Sequence, residues 1–194
     1  RLDHIGAALD PALGAEAAAL AAALEVGVAL VKPSLRELRD LLQRPLNTVQ
    51  ECGDAAFTLV QQGAASTVAV SMGEQGAVLA HRHGVWHAPA LEVPATTGTT
   101  GAGDCFLAAL VWALERGDTP PEALRWGVAA GAAALLSPGT ALAQAADIHR
   151  LHAQVHQPVT SAHDQGLHSV GHAATCEVQR LVGVATLQVA HDEA

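Results

Sequence analysis

Short apolar and β-branched runs alternate along this chain with longer segments that have helical spacing. Two such runs, Val28–Val31 and Thr67–Ser71, suit buried strands. Between them, leucines recur at helical intervals from Leu35 to Leu42, and a second helical segment follows. Alternation of this kind is typical of an α/β domain in which helices cover a sheet. We therefore expect an α/β fold.

Capping patterns and glycines mark where the helices begin and end. Ser34 with Glu37, and Asn47 with Gln50, have the spacing of capping boxes, in which two side chains satisfy free amides reciprocally. Pro120 and Pro121 indicate the start of another helix, since proline is favoured in the first turn. The helices are expected over Ala15–Glu25, behind Ser34, over Val49–Gln62, from Gly101 to about Arg116, over Glu122–Leu136 and over Ala146–Val155.

A hairpin and a tail complete the expected organisation. Ala77–His81 and Val85–His87 flank a short polar turn, which predicts a hairpin at a sheet edge, and Val93 begins a further extended segment. From about Gln157 the periodicity weakens, so we expect residues 1–156 to form the domain and 157–194 an appended tail. Its histidines His163, His168 and His172 lack partners at ligand spacing, which favours a solvated tail over a metal site.

Charge and composition exclude several classes of partner. The chain carries 10 basic and 19 acidic residues, a formal charge of −9, and 3% aromatic residues, so we expect no nucleic-acid partner. The longest apolar runs, such as Cys105–Leu114, are half the length of a membrane span, so we expect no membrane partner. Three widely spaced cysteines give no disulfide framework, which favours a cytoplasmic location.

A glycine-rich turn, Gly101–Asp104, opens an apolar helix and is the strongest chemical signal in the chain. Free amides and the positive end of the helix dipole converge there and stabilise negative charge. Glycines let a phosphate approach the backbone, and an aspartate in the first turn could take a proton from an attacking hydroxyl. The alternative is a tight turn with an acidic residue that only stabilises the helix start.

Four segments, in chain order, resemble the signature segments of the ribokinase-like, or PfkB, carbohydrate kinases. Lys32–Glu37 resembles that family's Lys-Pro-Asn-x-x-Glu segment, with Ser34 in place of asparagine, and Ser71–Gly76 resembles its Ser-Leu-Gly-x-x-Gly nucleotide loop. Thr99–Asp104 resembles the carboxy-terminal signature, and Gly127–Ala132 the adenine-side helix. The similarity runs from about residue 25 to about residue 156. Within the family it is greatest to the minor-type 6-phosphofructokinases and 1-phosphofructokinases.

The resemblance implies a ribokinase-like fold with a mostly parallel sheet, and an ATP-dependent kinase. Its acceptor would be a sugar phosphate, with fructose 6-phosphate favoured over fructose 1-phosphate, tagatose 6-phosphate and ribose. Asp104 would be the catalytic base, and Gly101, Ala102 and Gly103 would form an anion hole around the γ-phosphate. Magnesium is implied as a cofactor, and potassium is allowed, near Thr100 and the loop Ser137–Thr140.

The resemblance also assigns nucleotide and metal roles. Lys32, the only lysine in the chain, would lie near the phosphates, and Glu37 would organise magnesium through water, although Ser34 and Glu37 could equally be a capping box alone. The adenine-side positions could equally serve close helix packing. The remaining residues implied to bind ATP are Ser71, Gly73, Gly76, Thr99, Val128, Gly131 and Ala132.

The amino-terminal part of the family, with its sugar-binding residues and its β-sheet lid, is not recognisable in this sequence. We therefore expect the chain to correspond to the nucleotide half of such a kinase. The competing hypothesis is a truncated, non-catalytic nucleotide-binding or interaction module. A sheet cut in this way would leave an exposed edge, which also predicts association into a homo-oligomer.

Overall fold

A computed structural model describes residues 15–94, 100–137 and 142–161 of the chain. These residues belong to one compact unit, Arg1–His163. A short 3-10 turn, Gly73–Gln75, connects the second and third strands. In chain order the helices and strands of the described residues are α1 (Ala15–Val26), β1 (Val28–Val31), α2 (Leu35–Leu42), α3 (Val49–Gln61), β2 (Ala65–Ser71), β3 (Ala77–His81), β4 (Gly84–Ala88), α4 (Ala102–Glu115), α5 (Pro120–Leu136), α6 (Ala145–His152) and β5 (Val159–Ser161).

The five strands form one mixed sheet in the order β1-β2-β3-β4-β5. β1 and β2 are parallel and are joined through α2 and α3, whereas β2–β3, β3–β4 and β4–β5 pair antiparallel. The α/β class is confirmed. The sheet is mixed rather than mostly parallel in the described residues, because the connections from β2 to β3 and from β3 to β4 are too short for a crossover.

Capping side chains fix the starts of α2 and α3. Ser34 and Glu37 form the predicted capping box at α2. At α3 the prediction was wrong by one residue: Thr48 is the N-cap, its hydroxyl accepting from the amide of Glu51 at 3.1 Å. The Glu51 carboxylate accepts in return from the amides of Thr48 and Asn47, at 3.1 and 2.6 Å. Threonine caps as Asn47 would have done, and its extended backbone is the N-cap conformation.

Two apolar cores lie on opposite faces of the sheet. Successive residues of β3 alternate between them: Val78 joins a core with α2 and α3, whereas Leu79 joins one with α4 and α5. This is the two-residue period of a strand covered on both faces. Cys52 lies in the first core, where burial raises the pKa of its thiol to about 11 despite the nearby charge of Arg39. It is a free thiol packed as a small hydrophobe.

Side chains of α5 hold α6 in place. The rings of Trp126 and His152 stack with centroids 3.7 Å apart and planes 11° from parallel. The Arg125 guanidinium donates to the carbonyls of His152 and Val155, both at 3.1 Å, and to the Glu122 carboxylate at 2.8 Å. Arg125 therefore satisfies one carbonyl at the end of α6 and one just beyond it, where the helix itself supplies no amide.

Two further features differ from the expected organisation. The strand β5 lies beyond the expected domain end at residue 156 and pairs with β4, Thr160 opposite Trp86. Residues 91–94 form no strand, and the continuation of the extended segment expected from Val93 lies outside the described residues. The histidines of residues 162–194 lie outside the described residues. None of the helices described here is long and apolar enough to cross a bilayer.

Candidate active site

The start of α4 is an open helix N-terminus. Gly101, the N-cap, has a left-handed backbone with φ 83° and ψ −11°, a conformation that glycine adopts at little cost. It offers no side chain to cap the first-turn amides, which include those of Ala102 and Gly103. Asp104 lies in the same turn and is exposed. The predicted anion hole and base are therefore adjacent, and both can reach a ligand.

The ammonium group of Lys32 lies beside this turn. A Cβ built on Gly103 would be 3.3 Å from Lys32 Nζ and 3.8 Å from Cε. Lys32 follows β1 directly, so the parallel strand carries its side chain to the edge where α4 begins. A positive charge next to a helix N-terminus strengthens the attraction for an anion. Lys32 and the first turn of α4 therefore form a candidate phosphate-binding corner.

The Lys32–Glu37 and Ser71–Gly76 segments also lie side by side. The Ser71 amide donates to the carbonyl of Pro33 at 3.1 Å, and Ser34 pairs with Ser71 in an isolated parallel bridge. Parallel strands end at the same edge of a sheet, which is why segments so far apart in the chain meet there.

Glu37 is used in the helix cap. Its Oε2 accepts from the Ser34 amide at 2.6 Å, and Ser34 Oγ accepts from the Glu37 amide at 3.3 Å. Within the described residues there is no group of three or more histidine, cysteine, aspartate or glutamate side chains that could hold a metal ion. Magnesium is commonly held by one carboxylate together with substrate phosphates and water, and Glu37 fits that pattern through its second oxygen.

Gly76 packs the turn after β2 closely against the backbone of residues 88–90. Gly76 has φ 85° and is buried, and a Cβ there would lie 2.1 Å from the carbonyl oxygen of Ala88 and 2.6 Å from the amide nitrogen of Ala90. Gly73 is exposed, with nothing within 4 Å of its Cβ position. Gly76 thus has a packing reason of its own, and its nucleotide role stays a prediction.

Small residues on α5 bring that helix close to the start of α4. A Cβ on Gly131 would be 3.4 Å from the Ala102 carbonyl oxygen, and one on Gly127 would be 3.0 Å from the Phe106 ring. Close helix packing, the alternative left open for this segment, is therefore present. Val128 and Ala132 are 7% and 5% exposed, and their adenine role stays a prediction.

Part of the predicted site lies outside the described residues. Thr99 is one such residue, as are residues 138–140 of the loop expected near potassium. Ser137 is described and buried, and its hydroxyl donates to the carbonyl of Leu142 at 3.1 Å.

Two contacts at the site were not predicted from the sequence. Phe106 fills the space left by the α5 glycines, and His87 Nε2 lies 2.8 Å from the carbonyl oxygen of Gln75 in the turn after β2. The four-residue spacing of Gly127 and Gly131 could have indicated the first contact, because such residues share one helix face. Nothing in the local sequence of His87 indicates the second.

A separate apolar cavity of about 370 Å³ lies between α4, α5 and α6. Its lining includes Trp112, Trp126, Leu142 and Ile148, but none of the predicted site residues. Such a lining offers little to a phosphorylated ligand, so the phosphate-binding corner is the better candidate for chemistry.

Comparison with known proteins shows the family to which the chain belongs. The model of the pfkB family carbohydrate kinases matches residues 4–147, about three quarters of the chain. The chain therefore belongs to the pfkB family.

Several of the relatives that the chain matches are phosphofructokinases. The chain is 41% identical over 139 residues to the ATP-dependent 6-phosphofructokinase isozyme 2 of Mycobacterium tuberculosis, covering 72% of this chain and 41% of that protein. The corresponding Escherichia coli isozyme is 37% identical over 140 residues, covering 70% and 44%. A crystal structure of Escherichia coli phosphofructokinase-2 with substrates and products superposes with a TM-score of 0.67 at 35% identity, covering 72% and 45%. The chain thus spans less than half the length of these relatives.

Proposed function

We propose that this chain supplies the nucleotide-binding part of an ATP-dependent kinase that phosphorylates a sugar phosphate, with fructose 6-phosphate as the favoured acceptor. The observation that carries the proposal is the Lys32 ammonium beside Gly103, at the open start of α4. Two sources of positive potential converge there from distant parts of the chain. That is the requirement for holding a transferring phosphoryl group.

The anion hole would use backbone amides. In this proposal the amides of Gly101, Ala102 and Gly103 bind the γ-phosphate oxygens, and Lys32 neutralises charge on the phosphate chain. The α5 segment with Val128, Gly131 and Ala132 would lie on the adenine side. Ser71, Gly73, Gly76 and Thr99 complete the proposed ATP site.

Asp104 would act as the general base. An acceptor hydroxyl bound above the first turn of α4 would give its proton to the Asp104 carboxylate as its oxygen attacks the γ-phosphorus. The bond from that phosphorus to the bridging oxygen breaks, and ADP leaves. The exposure of Asp104 supports this role, since the carboxylate is accessible to a substrate.

Magnesium would neutralise charge on the ATP phosphates when bound. Glu37 would hold it through the carboxylate oxygen that the helix cap leaves free, with water between them. The Ser137–Thr140 loop is proposed for a potassium ion. We also propose a cytoplasmic protein that forms a homo-oligomer.

A non-catalytic nucleotide-binding module is the second candidate. The residues brought together by β1, β2, α4 and α5 all belong to the nucleotide side of the resemblance, and none of them was predicted to bind sugar. A module of this kind would bind Mg·ATP without transferring the phosphoryl group.

Calorimetric titration with Mg·ATP, followed by an assay of ADP release with fructose 6-phosphate, tests both candidates. We expect the parent chain and Asp104→Asn to bind, and Asp104→Asn to lose about 10²–10⁴-fold in turnover. Gly103→Val, whose side chain would fill the anion hole, should not bind. Turnover by the parent chain would contradict the non-catalytic module, whereas binding without turnover is compatible with both candidates. No binding by a demonstrably folded chain would contradict both.

A further inference from the structure

His87 links the sheet to the turn that follows β2. It lies on β4 opposite Val78 of β3 and is half-buried. Its Nε2 is 2.8 Å from the carbonyl oxygen of Gln75, the last residue of the 3-10 turn. Since a carbonyl oxygen can only accept, Nε2 must carry the proton and donate. The neutral Nε2-protonated ring and the imidazolium both satisfy this requirement.

Among the described residues, no other side chain hydrogen-bonds to residues 73–75 of this turn. Its backbone closes on itself, with the Met72 amide donating to the Gly76 carbonyl at 2.9 Å and the Gly76 amide to the Gly73 carbonyl at 3.0 Å. Residues 73–75 are exposed. Hydrogen bonds within an exposed turn compete with water and fix its position on the sheet only weakly.

β4 provides the restraint that the turn itself lacks. Below the turn, Gly76 packs against the backbone of residues 88–90 without room for a Cβ. At its outer end, the His87 side chain holds the Gln75 carbonyl. Consecutive residues of β4, His87 and Ala88, therefore hold the turn at two points, one by a hydrogen bond and the other by packing.

We propose that His87 is a positioning residue for the nucleotide: it fixes the orientation of the Gly73–Gly76 turn before ATP binds. The proposal rests on the proposed function, in which Gly73 and Gly76 of this turn are part of the ATP site. A turn that is already ordered loses less conformational entropy when a ligand binds, so removing the contact should weaken nucleotide binding and leave the chemical step unaffected.

Two substitutions separate this role from simple packing. His87→Leu keeps the side chain's bulk and removes the donor, whereas His87→Gln keeps an N–H that can reach the same carbonyl. His83→Leu is the matched control, because His83 lies at the tip of the same hairpin and contacts Arg82 and His81 instead. The measurements are the Kd for Mg·ATP by calorimetry and amide hydrogen exchange of residues 73–76 without nucleotide.

We expect His87→Leu to raise the Kd about 3- to 10-fold and to speed exchange of the turn amides by a similar factor. His87→Gln should restore both, and His83→Leu should change neither. Unchanged exchange in His87→Leu would overturn the proposal whether or not ATP binds. Faster exchange with an unchanged Kd in a chain that binds ATP would overturn it too. Absence of binding in the parent chain speaks against the proposed function, and the exchange measurement still decides whether His87 orders the turn.

Discussion

The Nζ of Lys32 lies against the backbone of Gly103, so close that a Cβ on the glycine would be 3.3 Å away. The two residues come from different secondary-structure elements: one follows a parallel strand, and the other lies in the first turn of a helix that begins much later in the chain. Neither element alone is a phosphate site. Their contact makes a candidate site, because the Lys32 ammonium then lies beside the first-turn amides of α4.

Graded substitutions at Gly103 measure the space in this corner. Gly103→Ala places a Cβ against the flexible end of Lys32, which can shift, and it replaces a helical glycine with a better helix former, a gain of about 1 kcal/mol. We expect Gly103→Ala to be at least as stable as the parent chain and to bind Mg·ATP more weakly, while Gly103→Val abolishes binding. Urea unfolding and calorimetry give the two quantities. Parent-like affinity in both variants would show that ATP does not use this corner.

The single lysine permits a direct observation of the same corner. Reductive methylation with ¹³C-formaldehyde labels Lys32 and the amino terminus only, and Lys32→Arg identifies which NMR signal belongs to the side chain. We expect Mg·ATP to shift the Lys32 signal and to leave the amino-terminal signal in place, because the phosphates would lie next to the ammonium. In Gly103→Val the shift should disappear. If the Lys32 signal did not shift at saturating Mg·ATP, its assignment to the proposed phosphate site would be contradicted.

Gly76 and Gly73 form a matched pair for testing structural against nucleotide roles. Gly76→Ala would place its Cβ 2.1 Å from the Ala88 carbonyl oxygen, so we expect a loss of about 3 kcal/mol or more in the free energy of unfolding. Gly73 has φ 60° and an open Cβ position, so Gly73→Ala should cost only about 1 kcal/mol. Urea unfolding of both variants measures these costs. Equal losses would mean that the backbone of residues 88–90 shifts to make room for the Cβ in Gly76→Ala.

Local patterns predicted most elements, because each depends on residues close together in the chain. The Ser34 cap, the hairpin and the glycine-rich helix start were all predicted in this way, and Thr48 replaced Asn47 as a cap because both residue types satisfy the same free amide. The contact between His87 and Gln75 joins residues 12 positions apart, and neither periodicity nor a capping pattern specifies a side-chain contact of this kind. β5 was missed for a related reason: a three-residue strand forms only because the β4 edge is there to pair with it.

His81 should make the stability of the fold depend on pH. Burial, reinforced by the charges of His83 and Arg82, lowers the pKa of His81 from 6.5 to about 4 in the folded chain. Between those values the unfolded chain binds a proton that the folded chain does not. The free energy of unfolding therefore falls as the pH drops from 6.5 towards 4, and this loss is absent above 6.5.

Comparison with His81→Gln isolates this contribution, since acidic residues titrate alike in both proteins. We expect the parent chain to lose more stability than His81→Gln between about pH 7 and about pH 5, as measured by urea unfolding at each pH. His83→Gln, which removes an exposed neighbour that disfavours the His81 imidazolium, should retain most of the pH dependence, because burial is the larger cause of the shift. Parallel pH profiles for the parent chain and His81→Gln would show that His81 titrates normally in the folded protein.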